Sequence, residues 1–478
     1  MKHKPIVLFS GLLALSLTAA SVAAIGQTSH RASAALASDG QVKSGERLLK
    51  RAEPLKAKTA FEKALEKHPD SLPAKIGLAE ALYGAGNYAA ALSTIDKAAQ
   101  QLNSLGTTVR PSVRLRLRLA RGRILRELQR FDEAAAECSL AIEAKTNSAE
   151  AYSCRADALD AMGKTDKAIE DLSKAIEIAP ADAQKVLQRA LLYRQVGQKD
   201  KALADLDAAV KLDPQLITWR ASFNREQGRN EEALSDYTTA IDLQSGDDRA
   251  TQYFNRGVIY EDLDQHRKAI DDFTDAIAIN SDSPLYFAHR GTSYYGVCDF
   301  RRAVDDFSTA ISMQEKNGDF FFRRANAYEA EGDKKLALAD FDQAIKLDGA
   351  THPQFYLKRA ELRAEMGEHG EAIEDISKAI QMSKGDAEFY FDRGVEEGAV
   401  GLTQKSIDDL SSSIDKNPQF AKAYKRRAIA RAKLGDSTGA AADLQKCSTI
   451  YENEGDRHGI AEVGRLLHTI KSGAGCPD

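Results

Sequence analysis

The chain has 478 residues, 43% hydrophobic, with 66 basic and 71 acidic side chains and a formal net charge of −5. That apolar content supports an ample core, and eleven prolines with abundant alanine argue for an all-helical protein and against strands. No nucleophile elbow, phosphate loop or zinc-spaced histidine pair appears, which argues against an enzyme, a metal site or a cofactor.

The N-terminus reads as an export signal over residues 1–24. Lys2 and Lys4 give a positive start, Ile6 to Ala20 an apolar run, and Ser21-Val22-Ala23 a small-residue cleavage site. The rival is an uncleaved membrane anchor, since Pro5 to Gly26 is nearly long enough to span. Ser10, Gly11, Ser16 and Thr18 dilute the run and favour cleavage. On either reading the positive flank sends the remainder out of the cytoplasm, as a periplasmic or secreted protein. Residues 25–42 read as a small-residue linker.

From residue 43 to 455 one alanine keeps returning: Ala57, Ala91, Ala134, Ala168, Ala202, Ala233, Ala269, Ala303, Ala337, Ala372, Ser406 and Ala440. Seven of the eleven gaps are 34 residues, and the largest departure is a nine-residue insertion at 104–114. A large or apolar residue follows four positions later (Phe61, Phe273, Phe307 and Phe341 among them), and a small one seven positions later (Ala64, Ala276, Ala310). Offsets of four and seven share one helical face, so small residues let helices approach and the large one fills the gap. Five positions before most alanines stands a glycine: Gly86, Gly163, Gly197, Gly228, Gly332, Gly367, Gly401 and Gly435. It predicts a helix end between two antiparallel helices. Pro69, Pro180, Pro214 and Pro418 stop second helices.

This small–aromatic–small–proline pattern with its 34-residue period resembles the tetratricopeptide-repeat (TPR) family. The resemblance covers nearly the whole chain after the linker. It implies a right-handed superhelical solenoid of about twelve helix-turn-helix repeats with a concave binding face. The aromatic usual near the repeat start is patchy here: Tyr152, Tyr253, Tyr390 and Tyr424. The first repeat and the insertion are the least regular parts.

A second pattern runs through ten repeats. Arg121, Arg155, Arg189, Arg220, Arg256, Arg290, Arg324, Arg359, Arg393 and Arg427 are each followed, sixteen residues on, by an acid: Glu137, Asp171, Asp205, Asp236, Asp272, Asp306, Asp340, Asp375, Asp409 and Asp443. One acid for every arginine predicts an internal ladder rather than a groove for acidic ligands. Doublets such as Asp305-Asp306 recur with the repeat, so they read as scaffold and not as catalytic carboxylates.

Residues 456–471 carry Ile460, Val463, Leu467 and Ile470 on one stripe, an amphipathic helix that caps the stack, with residues 472–478 as a tail. Four of five cysteines read as lying inside repeat helices. Cys138 and Cys447 hold packing positions, and an oxidising compartment would permit a Cys138–Cys154 bridge that the spacing does not demand. Cys476 reads as the exposed thiol.

The resemblance puts partners on the first helices, where the concave surface includes Phe254, Tyr295, Phe322, Asn326, Leu357 and Phe391, with Glu261, Glu329, Glu361 and Glu365 nearby. An aromatic floor with an acidic rim suits a protein or peptide carrying basic residues. The alternative is that these aromatics merely pack against the next repeat. The family's clamp for a terminal carboxylate is not expected, because Lys422 and Arg426 are preceded by Asp392 where an asparagine belongs. Residues 43–130 carry a net charge of +10, concentrated in an arginine run that includes Arg114, Arg116, Arg118, Arg123 and Arg126. That run is an alternative surface for anionic lipid or glycan; nucleic acid is not expected. The reading is a non-enzymatic scaffold that binds a protein or peptide outside the cytoplasm.

Overall fold

A computed structural model of the protein describes residues 40–106, 109–144, 147–383 and 385–472. The proposed signal, most of the linker and all of the tail after Ser472, with Cys476, lie outside them. Among the described residues every regular element is a helix. The chain divides into two compact units, the first ending at Phe223 and the second beginning at Asn224, inside the short helix Ile217–Glu226.

The first unit holds five helix pairs: Gly40–Lys50 with Pro54–Lys67, Leu72–Gly84 with Tyr88–Leu105, Pro111–Glu127 with Phe131–Glu143, Ala149–Ala161 with Thr165–Ile178, and Ala183–Gln195 with Lys199–Leu212. The second holds Asn230–Leu243, six further pairs from Gly246–Asp262 to Ser437–Glu454, and the capping helix Arg457–Ser472. Two boundaries differ from the sequence reading. Helix begins at Gly40, so residues 40–42 belong to the first repeat and Val42 is buried in its core. The insertion is absorbed mainly by lengthening, since Tyr88–Leu105 and Pro111–Glu127 run to 18 and 17 residues.

The periodic residues do what their spacing requires. Ala57, Ala91, Ala168, Ala202, Ala269, Ala303, Ala337 and Ala372 are fully buried, and so are Phe61, Phe273 and Phe341. Burial of each such ring contributes about 2–3 kcal/mol. Room for it comes from the first helix: a methyl group added at Gly257 would lie 2.7 Å from the Phe273 ring, and at Gly291 3.0 Å from Phe307. All eight turn glycines have positive φ, Gly332 reaching +98°. Where the sequence lacks glycine at that turn the geometry persists, with Ala52, Gln129, Asp264 and Cys298 at φ +55°, +58°, +56° and +62°. Cys298 thus stands exposed in a turn and not inside a helix, while Cys447 is buried as expected.

Cys138 and Cys154 are disulfide-bonded, with Cα atoms 5.8 Å apart. The bond joins the second helix of one repeat to the first helix of the next. It fits because Gly122 has no side chain: a β-carbon there would lie 2.8 Å from the Cys138 sulfur and 3.0 Å from that of Cys154.

Candidate functional site

Nine of the ten arginine–acid pairs lie within one unit, and all nine are ion pairs. Arg155, Arg189, Arg256, Arg290, Arg324, Arg359, Arg393 and Arg427 fork onto both carboxylate oxygens of their partner, as in Arg324 Nε to Asp340 Oδ2 at 2.7 Å and Nη2 to Oδ1 at 2.9 Å. Arg121 binds Glu137 through one nitrogen and Asp96 through another. In the first unit Arg220 bonds Asp207, and in the second Asp236 accepts from Asn224. The acids are buried. The hydrogen bonds that Arg324 donates to Asp340 hold its pKa above the ordinary value against the opposing effect of burial.

A third member of the ladder was missed in the sequence. The free Nη1 of Arg155, Arg189, Arg290, Arg324, Arg393 and Arg427 donates to a hydroxyl sixteen residues earlier, on the preceding repeat: Ser139, Ser173, Thr274, Ser308, Ser377 and Ser411. Arg256 reaches Thr238, and Arg359 reaches Asp342. The signal was available, because the hydroxyl stands two residues after the ladder acid, as in Asp306-Phe307-Ser308. The ladder is therefore internal structure in all but its outer edge.

Within each unit several successive first helices touch, as Leu72–Gly84 meets Pro111–Glu127 and Pro284–Gly296 meets Gly318–Glu331. Among the described residues no successive second helices come as close, so first helices form the tighter, inner side. Most of the aromatics expected there fill the space between helices. Phe254 lies against Phe273, Tyr286 and His289, and Phe322 stacks on Phe355 with centroids 4.6 Å apart. Phe391 contacts Phe420, and Leu357 packs on the cluster of Ala360 and Ile376. Tyr295 and Asn326 are the two that meet at an opening, a cavity of about 190 Å³ shared with Thr292 and Arg323. Of the acids, Glu261 accepts from Ser293 at 3.2 Å and lies 3.3 Å from His289 Nδ1; Lys358 pairs with Glu361 and Lys334 with Glu365. Desolvation raises the Glu329 pKa, and desolvation with Glu361, Glu388 and Glu396 pushes Asp392 up to about 6.

Two larger openings lie in the first unit. A cavity of about 770 Å³ lies between Gly40–Lys50, Leu72–Gly84 and Pro111–Glu127, with Leu49, Tyr83, Ala120 and Ile124 among its walls. A second, of about 520 Å³, shares Tyr83 and Arg123 with it and continues to Asp157, Asp182 and Lys185. The five patch arginines each have a partner here. Arg116 holds Glu80 and Glu46, Arg118 Glu137, Arg123 Glu150 and Arg126 Asp157, while Arg114 donates to the Gly106 carbonyl. Burial works against the Arg116 charge, but Glu80 and Glu46 more than offset it and raise its pKa. Four of the five are thereby neutralised within the chain.

Among the described residues no cluster of three or more metal-ligating side chains occurs, and no helix is long and apolar enough to cross a membrane. Family models described as tetratricopeptide repeat match residues 35–104, 149–182, 187–248, 251–283, 290–351 and 322–387, more than half of the chain. No curated protein matches the sequence. Solved structures similar to it include a tetratricopeptide repeat protein from Parabacteroides merdae, 22% identical over 52% of this chain and 98% of that one (TM-score 0.40). YrrB, described as a TPR protein with an unusual peptide-binding site, is 17% identical over 41% of this chain and 98% of its own (TM-score 0.36). The APC/C hetero-tetramer Cut9–Hcn1 is 12% identical over 89% and 95% (TM-score 0.39).

Proposed function

Because this chain belongs to the tetratricopeptide-repeat family and is built as a protein-interaction scaffold, we propose that it works outside the cytoplasm, holding a protein or peptide along its first helices. The carrying observation is the pair of adjoining cavities on the first-helix side of the first unit, which share Tyr83 and Arg123. Grooves of this size, part apolar and part polar, suit extended segments of another chain. The fold is one that typically serves without catalysis, and the recurring carboxylates are occupied by the ladder.

Export is supported by two independent features. The leading residues have the form of a signal peptide, and a disulfide such as Cys138–Cys154 persists in oxidising compartments. Fractionation of the native cell, with thiol alkylation before lysis, tests location: reduced Cys138 and Cys154 in a cytoplasmic fraction would refute it.

Affinity capture with the intact protein, Tyr83→Ala, and the pair Tyr295→Ala with Asn326→Ala tests the binding face. The same partner should be recovered by wild type and lost or weakened with one of the altered baits. Identical recovery by all three would place binding elsewhere.

A further inference from the structure

We infer that the cavity between Gly40–Lys50 and Pro111–Glu127 is a docking groove for an acidic peptide segment that seats one apolar side chain. The inference rests on the first-helix reading above and names the class of partner for its N-terminal end.

The charges at this cavity fall into two sets. Arg116 is pinned between Glu80 and Glu46, and Arg123 holds Glu150, so these guanidinia are already balanced. Lys43, Arg47 and Lys50 differ. They stand at positions i, i+4 and i+7 of the first helix, on one face, and all three line the cavity. All are exposed, and none has a carboxylate partner among the described residues. Three unpaired cations thus edge an opening whose floor is Leu49, Ile124 and the ring of Tyr83. Such an edge favours carboxylates and repels a basic segment, and the floor accepts an apolar anchor.

The residues that precede Gly40 in the sequence do not have this complementarity. Lys2, Lys4 and Arg31 outnumber their one acid, Asp39. A separate acidic chain is the occupant that the charges fit.

The test uses the full-length protein and a fluorescein-labelled peptide of glutamate and aspartate around a single leucine. Controls are its lysine counterpart and a version with serine for leucine. Fluorescence anisotropy should show binding of the acidic peptide, weakened by about tenfold in the K43E/R47E/K50E variant, and weakened by added salt. Tyr83→Ala or loss of the leucine should also weaken it. Circular dichroism verifies that the exposed substitutions leave the helices intact. If the lysine peptide binds equally well and Tyr83→Ala abolishes it, the acidic partner is wrong and the groove stands. If the acidic peptide binds the charge-reversed variant with unchanged affinity, or anionic vesicles bind while it does not, the inference is overturned. Should none of the peptides bind any form, the groove reading falls with it.

Discussion

Arg324 binds two repeats at once: its Nη1 donates to Ser308 of the preceding repeat at 3.0 Å, while Nε and Nη2 grip Asp340 of its own. The guanidinium also lies 5.6 Å from the ring centres of Phe321 and Tyr328. One planar group with five donors can satisfy all these neighbours, which a lysine cannot. The same hydrogen bonds recur at Arg290, with Thr274 and Asp306, and at Arg393, with Ser377 and Asp409, so the ladder ties repeats together as well as closing each one.

Removing Arg324 leaves Asp340, which is only 7% exposed, without its counter-charge. Arg324→Ala should cost about 3 kcal/mol in urea unfolding. Ser308→Ala, which removes the link to the preceding repeat together with the hydroxyl's own bond to the Val304 carbonyl, should cost about 1 kcal/mol. Equal effects from the two substitutions would mean that the carboxylate fork is not the dominant contact.

The disulfide closes a sequence separation of 16 residues. Its reduction, or Cys154→Ala, should lower stability by about 3 kcal/mol, on the chain-entropy account. Differential scanning calorimetry with and without reductant measures this. Gly122→Ala should also destabilise the oxidised protein, by roughly 1–3 kcal/mol, because its methyl group would crowd both sulfurs.

Glu397 is 6% exposed and its Oε2 has no hydrogen-bond partner. Burial, with the charge of Asp409, pushes its pKa up to about 7, above the unfolded carboxylate value near 4.5. The folded protein therefore holds this proton more tightly than the unfolded chain does. Stability should fall as pH rises from about 4.5 to 7 and gain as pH drops through that window. Glu397→Gln should raise stability at pH 8 by roughly 2 kcal/mol and flatten that slope. A melting temperature at pH 8 that does not change in the variant would contradict the assignment.

Gln129 occupies a turn where most repeats have glycine, with φ at +58°. A side chain in the left-handed region costs about 1–2 kcal/mol. Gln129→Gly should thus stabilise the first unit by about 1 kcal/mol, read as a higher urea midpoint with an unchanged slope.

The architecture was legible because each repeat makes the same local contacts. Ala303, Phe307 and Ala310 meet a neighbour's helix by spacing alone, and Arg290 finds Asp306 at a fixed offset. The groove was far less legible. Phe322 and Phe391 have the phase of an inner surface, yet whether a ring faces a partner or the next repeat depends on the separation of adjacent first helices. That separation is set by packing several side chains at once, and no single offset records it.

Sequence by itself determined the helix pairs, their turns, the ladder and the cap, since all follow from short-range periodicity and side-chain volume. Only tertiary structure decided that Cys138 reaches Cys154 beneath a bare Gly122, that the arginine run is mostly answered by carboxylates, and that Lys43, Arg47 and Lys50 find no carboxylate among the described residues beside an apolar floor. Those outcomes depend on which side chains from different repeats arrive at one place, and distance in space is not written in distance along the chain.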